Sequence, residues 1–204
     1  MTQDFNDADG ILREFRKLNN LTVRVGALKA TDGHSEQHME MIAMANENGV
    51  PHIRPVHGQW LTIPTKLAGD HSAREIDGLF KPHGKNVLVK ANGNGGLDIY
   101  FILKKEITVP KRPFLSGTFI RKFETSWFEL AKVEISKLSV GEMTAREVMA
   151  SMGRRMARDV QATISAMKSP ANAPATIERK GKDNPLIDTG ALYRSISWTE
   201  DVYG

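Results

Sequence analysis

The sequence predicts an α+β fold: a small, mostly antiparallel β-sheet packed against two long α-helices, with a β-hairpin insertion. Three observations lead there. Apolar residues recur every three or four positions over 114–138 and again over 144–168. Between residues 50 and 106 that period fades, and short runs of β-branched and aromatic residues stand between turn residues. The chain has 204 residues, 40% of them apolar, with no cysteine, which is enough to bury a core as one α+β domain over 1–204. The missing cysteines exclude a disulfide scaffold, a thiolate zinc site, an iron–sulfur cluster and a cysteine nucleophile.

The elements follow in order. Ile11, Phe15 and Leu18 share one face of a short amphipathic helix over 8–18 that Asn19-Asn20 ends. Leu21, Val23 and Val25 then alternate with Thr22, Arg24 and Gly26, the pattern of a half-buried strand. Residues 35–48 read as a helix with Met39, Ile42, Ala43 and Asn46 on one side, and Gly49 and Pro51 as its stop. The β-rich part, 50–106, holds runs at 59–63, 86–90 and 97–103. The last two form a hairpin across an Asn/Gly tip at 92–96.

From Phe114 to Leu138, Ile120, Phe123, Trp127, Leu130 and Ala131 predict a buried helical stripe. Gly141 breaks it, and Thr144-Ala-Arg-Glu147 is a capping-box pattern opening the second helix, a rod of about 37 Å if it runs to Lys168. Its apolar face is predicted as Val148, Met152, Met156, Val160, Thr163, Ile164 and Met167, and its basic face carries Arg146, Arg154, Arg155 and Arg158. Residues 169–185 read as a flexible Pro/Ala/Lys loop. Asp188 is a helix N-cap candidate before one short turn and a final strand.

Candidate chemistry is sparse. Leu186-Ile-Asp-Thr-Gly-Ala191 resembles the active-site tripeptide of retroviral-type aspartic proteases, which need two such aspartates sharing a proton. Here Asp188 has no second Asp-Thr-Gly, and only 14 residues follow Gly190, too few for a flap. His34 and His38 stand four apart, but Glu36 is in the wrong slot for a His-Glu-x-x-His metal motif, so no metal is expected. The glycine-rich 92–96 tip lacks the Lys-Ser/Thr of a phosphate loop, and no cofactor motif is present. No stretch reaches the roughly 20 apolar residues of a membrane span, and the acidic start, Met1 to Asp9, is unlike a signal peptide. These absences point to a cytoplasmic structural or interaction protein rather than an enzyme. Residues 1–100 carry 11 bases against 12 acids and residues 101–204 carry 17 against 12, a mild basic bias compatible with a non-specific nucleic-acid-binding module.

Four segments come in a familiar order: Met44-Ala-Asn-Glu-Asn-Gly49, Trp60-Leu-Thr-Ile-Pro64, Ile107-Thr-Val-Pro-Lys-Arg-Pro-Phe-Leu115 and Asn184-Pro-Leu-Ile-Asp-Thr-Gly-Ala-Leu-Tyr-Arg-Ser-Ile196. Together they resemble the tail-completion or neck proteins of tailed bacteriophages, akin to minor tail protein Z and the head–tail joining group. Residues 65–98 exceed the family's minimal core and read as an insertion.

The resemblance implies a structural virion protein without enzymatic activity, assembled in the bacterial cytoplasm as a subunit of a six-fold ring through which DNA passes. Its implied partners are its own copies, the tail terminator, the tail tube and head-side connector proteins. Arg112, Pro113 and Phe114 are then candidates for an assembly anchor, with Asp188, Thr189 and Gly190 beside them. Arg154, Arg155 and Arg158 are candidates for facing DNA without sequence preference. The long Pro/Ala/Lys loop suits a segment that orders on docking.

Overall fold

A computed structural model of the chain describes residues 8–202. The acidic segment 1–7, the bulk of the start read as unlike a signal peptide, lies outside the described residues. The class is α+β, with antiparallel strands and two long helical rods.

Helix α5 (Ala145–Ala166) is the central rod, 22 residues and about 33 Å long. The predicted capping box is present. Thr144 Oγ1 accepts from Glu147 N at 3.3 Å and the Glu147 carboxylate accepts from Thr144 N at 2.7 Å. The buried stripe is Val148, Gly153, Ala157, Val160 and Ile164, while Met152 and Met156 are only half-buried. Small residues hold the centre because the last strand crosses there at close range. A Cβ on Gly153 would lie 2.5 Å from the Trp198 ring.

The other rod comprises α3 (Leu115–Lys122), a π-helical turn (Phe123–Trp127) and α4 (Phe128–Ser139). It runs antiparallel to α5. The Thr118 and Thr163 hydroxyls are 2.6 Å apart, Trp127 Nε1 donates to Asp159 at 2.7 Å, and Ser151 Oγ donates to Glu134 at 2.8 Å. Here the structure corrects the predicted stripe. Trp127 is buried, but Ile120 is 76% exposed and Phe123 48% exposed. The π turn is the physical reason. At about 100° per residue a continuous α-helix would set Trp127, nine positions on, opposite Thr118. One extra residue in the turn swings Trp127 back toward the core. The side facing the core therefore changes part-way along the rod, and Phe119, Ile120, Phe123 and Phe128 are left outside.

Among the described residues the strands form three separate antiparallel sheets. β1 (Leu21–Ala27) pairs with β7 (Ile196–Val202), from Leu21 against Val202 to Ala27 against Ile196. This two-stranded sheet lies on α5. β2 (Val50–Ile53) pairs with β6 (Ile107–Val109), with an irregularity at Pro51 and His52, so Pro51 sits within a strand rather than only stopping a helix. β4 (Val87–Ala91) and β5 (Leu97–Lys104) make the predicted hairpin, and β3 (Leu61–Pro64) adds on the far side of β5.

Helix α1 (Ala8–Asn19) packs on α4 and α5, where Phe15 and Leu18 join Leu138, Ala145 and Val148 in a small core. Helix α2 (Glu36–Asn48) puts Met39 and Ala43 into the main core with Phe114, Val160, Ile164 and Ile196.

Residues 169–185 are not a structureless loop. Pro174–Lys180 is helix α6, with Pro174 in its first turn and Gly181 left-handed after it. Proline pre-set for the first turn and a glycine past the end are the ordinary signals of a helix, and they outweigh the Ala/Lys/Pro composition here.

Candidate functional site

Three of the segments that carry the family resemblance meet at one junction. Helix α2 ends at Asn48, and Gly49 turns the chain with φ of +73°. A Cβ there would lie 2.9 Å from both Val109 O and Lys111 N, so only glycine admits this approach. Across the junction Arg112 N donates to Asn46 O at 2.7 Å. The Glu47 carboxylate accepts from Leu115 N at 2.8 Å and Ser116 N at 3.0 Å, and bonds the Ser116 hydroxyl. It satisfies the otherwise orphaned N–H groups of α3 and sits at the positive end of that helix.

Arg112 is 5% exposed and Phe114 is fully buried, with Pro113 half-buried between them. This corrects the expectation that Arg112 and Phe114 project as an assembly anchor. An anchor must be presented to its partner, and these side chains are used inside the chain. Arg112 Nε donates to Pro170 O at 3.0 Å, and its terminal nitrogens reach Ala171 O, Asn172 Oδ1 and Asn46 Oδ1, each at 3.4 Å. Burial pushes its pKa down. Asn184 completes the junction by donating to Ser165 O at 2.8 Å at the end of α5 and accepting from Leu186 N at 3.0 Å.

Asp188, Thr189 and Gly190 stand beside a cavity of about 310 Å³, which His34, Asn46 and Leu192 also line. Gly190 takes φ of +91°, and a Cβ there would meet the Arg194 guanidinium at 2.7 Å. Gly190 is the N-cap residue of the short helix α7 (Ala191–Ser195), and Thr189 Oγ1, one residue earlier, accepts from Ala191 N at 3.2 Å. Asp188, the predicted cap, instead accepts from Arg179 at 3.0 Å. Thr189 Oγ1 donates to Asp32 at 3.2 Å, and Arg194 pairs with the same carboxylate. Asp188 and Asp32 are thus each held by an arginine of their own. A protease dyad requires two carboxylates on one proton, and this arrangement is an ion-pair clasp between the turn after β1 and the C-terminal segment.

The α5 arginines divide. Arg154 and Arg158 are exposed, and Arg158 Nε donates to Arg154 O at 3.3 Å. Arg155 is half-buried and paired with Asp159 at 3.0 Å, the carboxylate that also takes the Trp127 indole. Arg155 therefore pairs within α5 with the carboxylate that joins the two rods. His34 and His38 stack at 4.6 Å, and no group of three His, Cys, Asp or Glu among the described residues is placed to hold a metal ion.

Reading apolar periodicity alone missed three buried acids, Glu14, Glu47 and Glu134. A signal was there: Glu14 lies three after Ile11 and four before Leu18, on their face.

No family model, curated protein or solved structure matches this chain.

Proposed function

We propose that this chain is a structural protein of a tailed-phage virion, completing the head-proximal end of the tail as a ring subunit that enables head–tail joining. What supports this is the convergence just described. The 44–49, 107–115 and 184–196 segments, far apart in sequence, hold one another through Asn46, Glu47, Arg112 and the 170–184 stretch. The uncovered Phe119, Ile120, Phe123 and Phe128 suit a chain that works against other proteins, because contiguous exposed apolar surface marks interaction sites. Its partners in this reading are its own copies in a six-fold ring, the tail terminator and tail tube, and head-side connectors. Catalysis is no part of it.

The test is electron microscopy of lysates from the phage carrying a stop codon in this gene. DNA-filled heads beside detached tails of normal length are expected. Intact infectious particles would overturn the proposal.

Exposed Arg154 and Arg158 favour a second reading, non-specific contact with nucleic acid. In that case duplex DNA binding by the purified chain falls steeply with salt, with a log–log slope of about −0.9 per neutralised phosphate, and Arg154→Ala with Arg158→Ala makes the slope shallower.

A further inference from the structure

Arg112 carries a charge nine-tenths buried with no carboxylate among the described residues within ion-pair distance. Its acceptors are carbonyl and amide oxygens, and three of those four bonds are stretched to 3.4 Å. Buried charges in proteins are normally paired, because neutral oxygens offset only part of the lost hydration. The surroundings add to the deficit. Lys180, held by Asn184 O at 2.8 Å, lies close enough for Arg112 to act on its titration, and Asp188, the acid nearby, is already paired with Arg179.

Beside Arg112 is a cavity of about 300 Å³ between the β-rich part and residues 171–176. Ile63, Ile102, Ile107 and Val109 form its walls, and Lys104, exposed and without an ion pair among the described residues, lies at its side. This is a largely apolar pocket, at the small end of the ligand range, whose lining includes two cationic residues, Arg112 and Lys104.

We propose that this cavity is a carboxylate-binding site, with Arg112 and Lys104 holding the anion and the isoleucine walls taking a short apolar group attached to it. The planar guanidinium fork matches a carboxylate in two parallel bonds, and its long bonds to Ala171, Asn172 and Asn46 are the ones a charged acceptor replaces. Phosphate, with no apolar part, leaves the isoleucine walls unfilled. A free aliphatic acid and the C-terminal residue of a partner polypeptide both present this chemistry. The site does not rest on the virion reading.

The test is thermal unfolding of the full chain titrated with hexanoate and with N-acetyl-leucine, against hexan-1-ol, N-acetyl-leucinamide and inorganic phosphate. At ten times the dissociation constant, a bound acid raises Tm by about 3–6 °C in a chain of this size. The acids are expected to do so and the three controls are not. A shift from N-acetyl-leucine alone assigns the site to a polypeptide terminus, and an equal shift from hexanoate shows that the free acid suffices. Because Arg112 also joins the fold, two variants at residues that make none of its hydrogen bonds carry the site assignment. Lys104→Ala is expected to weaken acid binding about tenfold, and Ala175→Trp, which fills the cavity, to abolish it. No shift from either acid, an equal shift from the uncharged controls or phosphate, or full binding by Ala175→Trp would each overturn the proposal.

Discussion

At the scale of single residues, buried glutamates fasten helix to helix. Glu14 on α1 accepts from Ala145 N at 2.8 Å at the start of α5, as Glu47 does for α3. Removing such an acceptor strands a buried N–H, so Glu14→Ala should lower the urea unfolding free energy by about 1–3 kcal/mol. Burial opposes the Glu14 charge, but the Lys17 ammonium at 2.6 Å and the Ala145 N–H outweigh it, and the pKa lies below the ordinary 4.5. A carboxyl lowered in the folded state contributes stability in full above its unfolded value and loses it as pH falls through the folded one. Between pH 6 and pH 3 the natural chain should therefore lose more unfolding free energy than Glu14→Gln does. Ser126 is the converse case: its Oγ is buried in the π turn without a hydrogen-bond partner among the described residues. Ser126→Ala should raise stability by about 1 kcal/mol, read from the same urea curves. Sequence reasoning singled out Arg112 and Phe114 as candidates for an interface, and both are buried within this chain. A buried arginine–aromatic pair has the same chemistry whether it closes its own fold or a partner's surface.

At the scale of elements, both rods, the capping box at Thr144, the 86–103 hairpin and the closing strand were legible, because long periodic runs and cap residues act locally. The π turn was not, since which residue a helix inserts depends on what packs against it, here Trp127 reaching Asp159. The centre of α5 was likewise hidden. Methionines at helical spacing look like core, but the crossing of β7 demands small residues, and Gly153 supplies one. This has a counter-intuitive outcome. Alanine is ordinarily better than glycine in a helix by about 1 kcal/mol, yet Gly153→Ala should destabilise by about 1–3 kcal/mol through overpacking on Trp198. In a Trp198→Leu background that cost should shrink, which a double-mutant cycle on Tm would show.

At the scale of the whole molecule, the outer face of α3 and its π turn is decisive. Ile120 is three-quarters exposed and makes no contribution to either core cluster. Ile120→Asp should leave Tm of the isolated chain nearly unchanged, as surface substitutions do; under the proposed virion role it should also lower the yield of joined particles counted by electron microscopy. Unchanged yield would remove this face from the assembly. No helix among the described residues is long and apolar enough to cross a membrane. One further consequence comes from the pairing of β1 with β7, which joins Leu21 to Val202. During synthesis the first strand emerges early and waits for nearly the entire chain before its mate exists. Such distant pairing slows folding and leaves an open strand edge meanwhile. A nascent chain that stops before β7 keeps both long helices and still cannot close, so a frameshift just ahead of the β7 codons should cost the cell as much soluble protein as one ahead of β1.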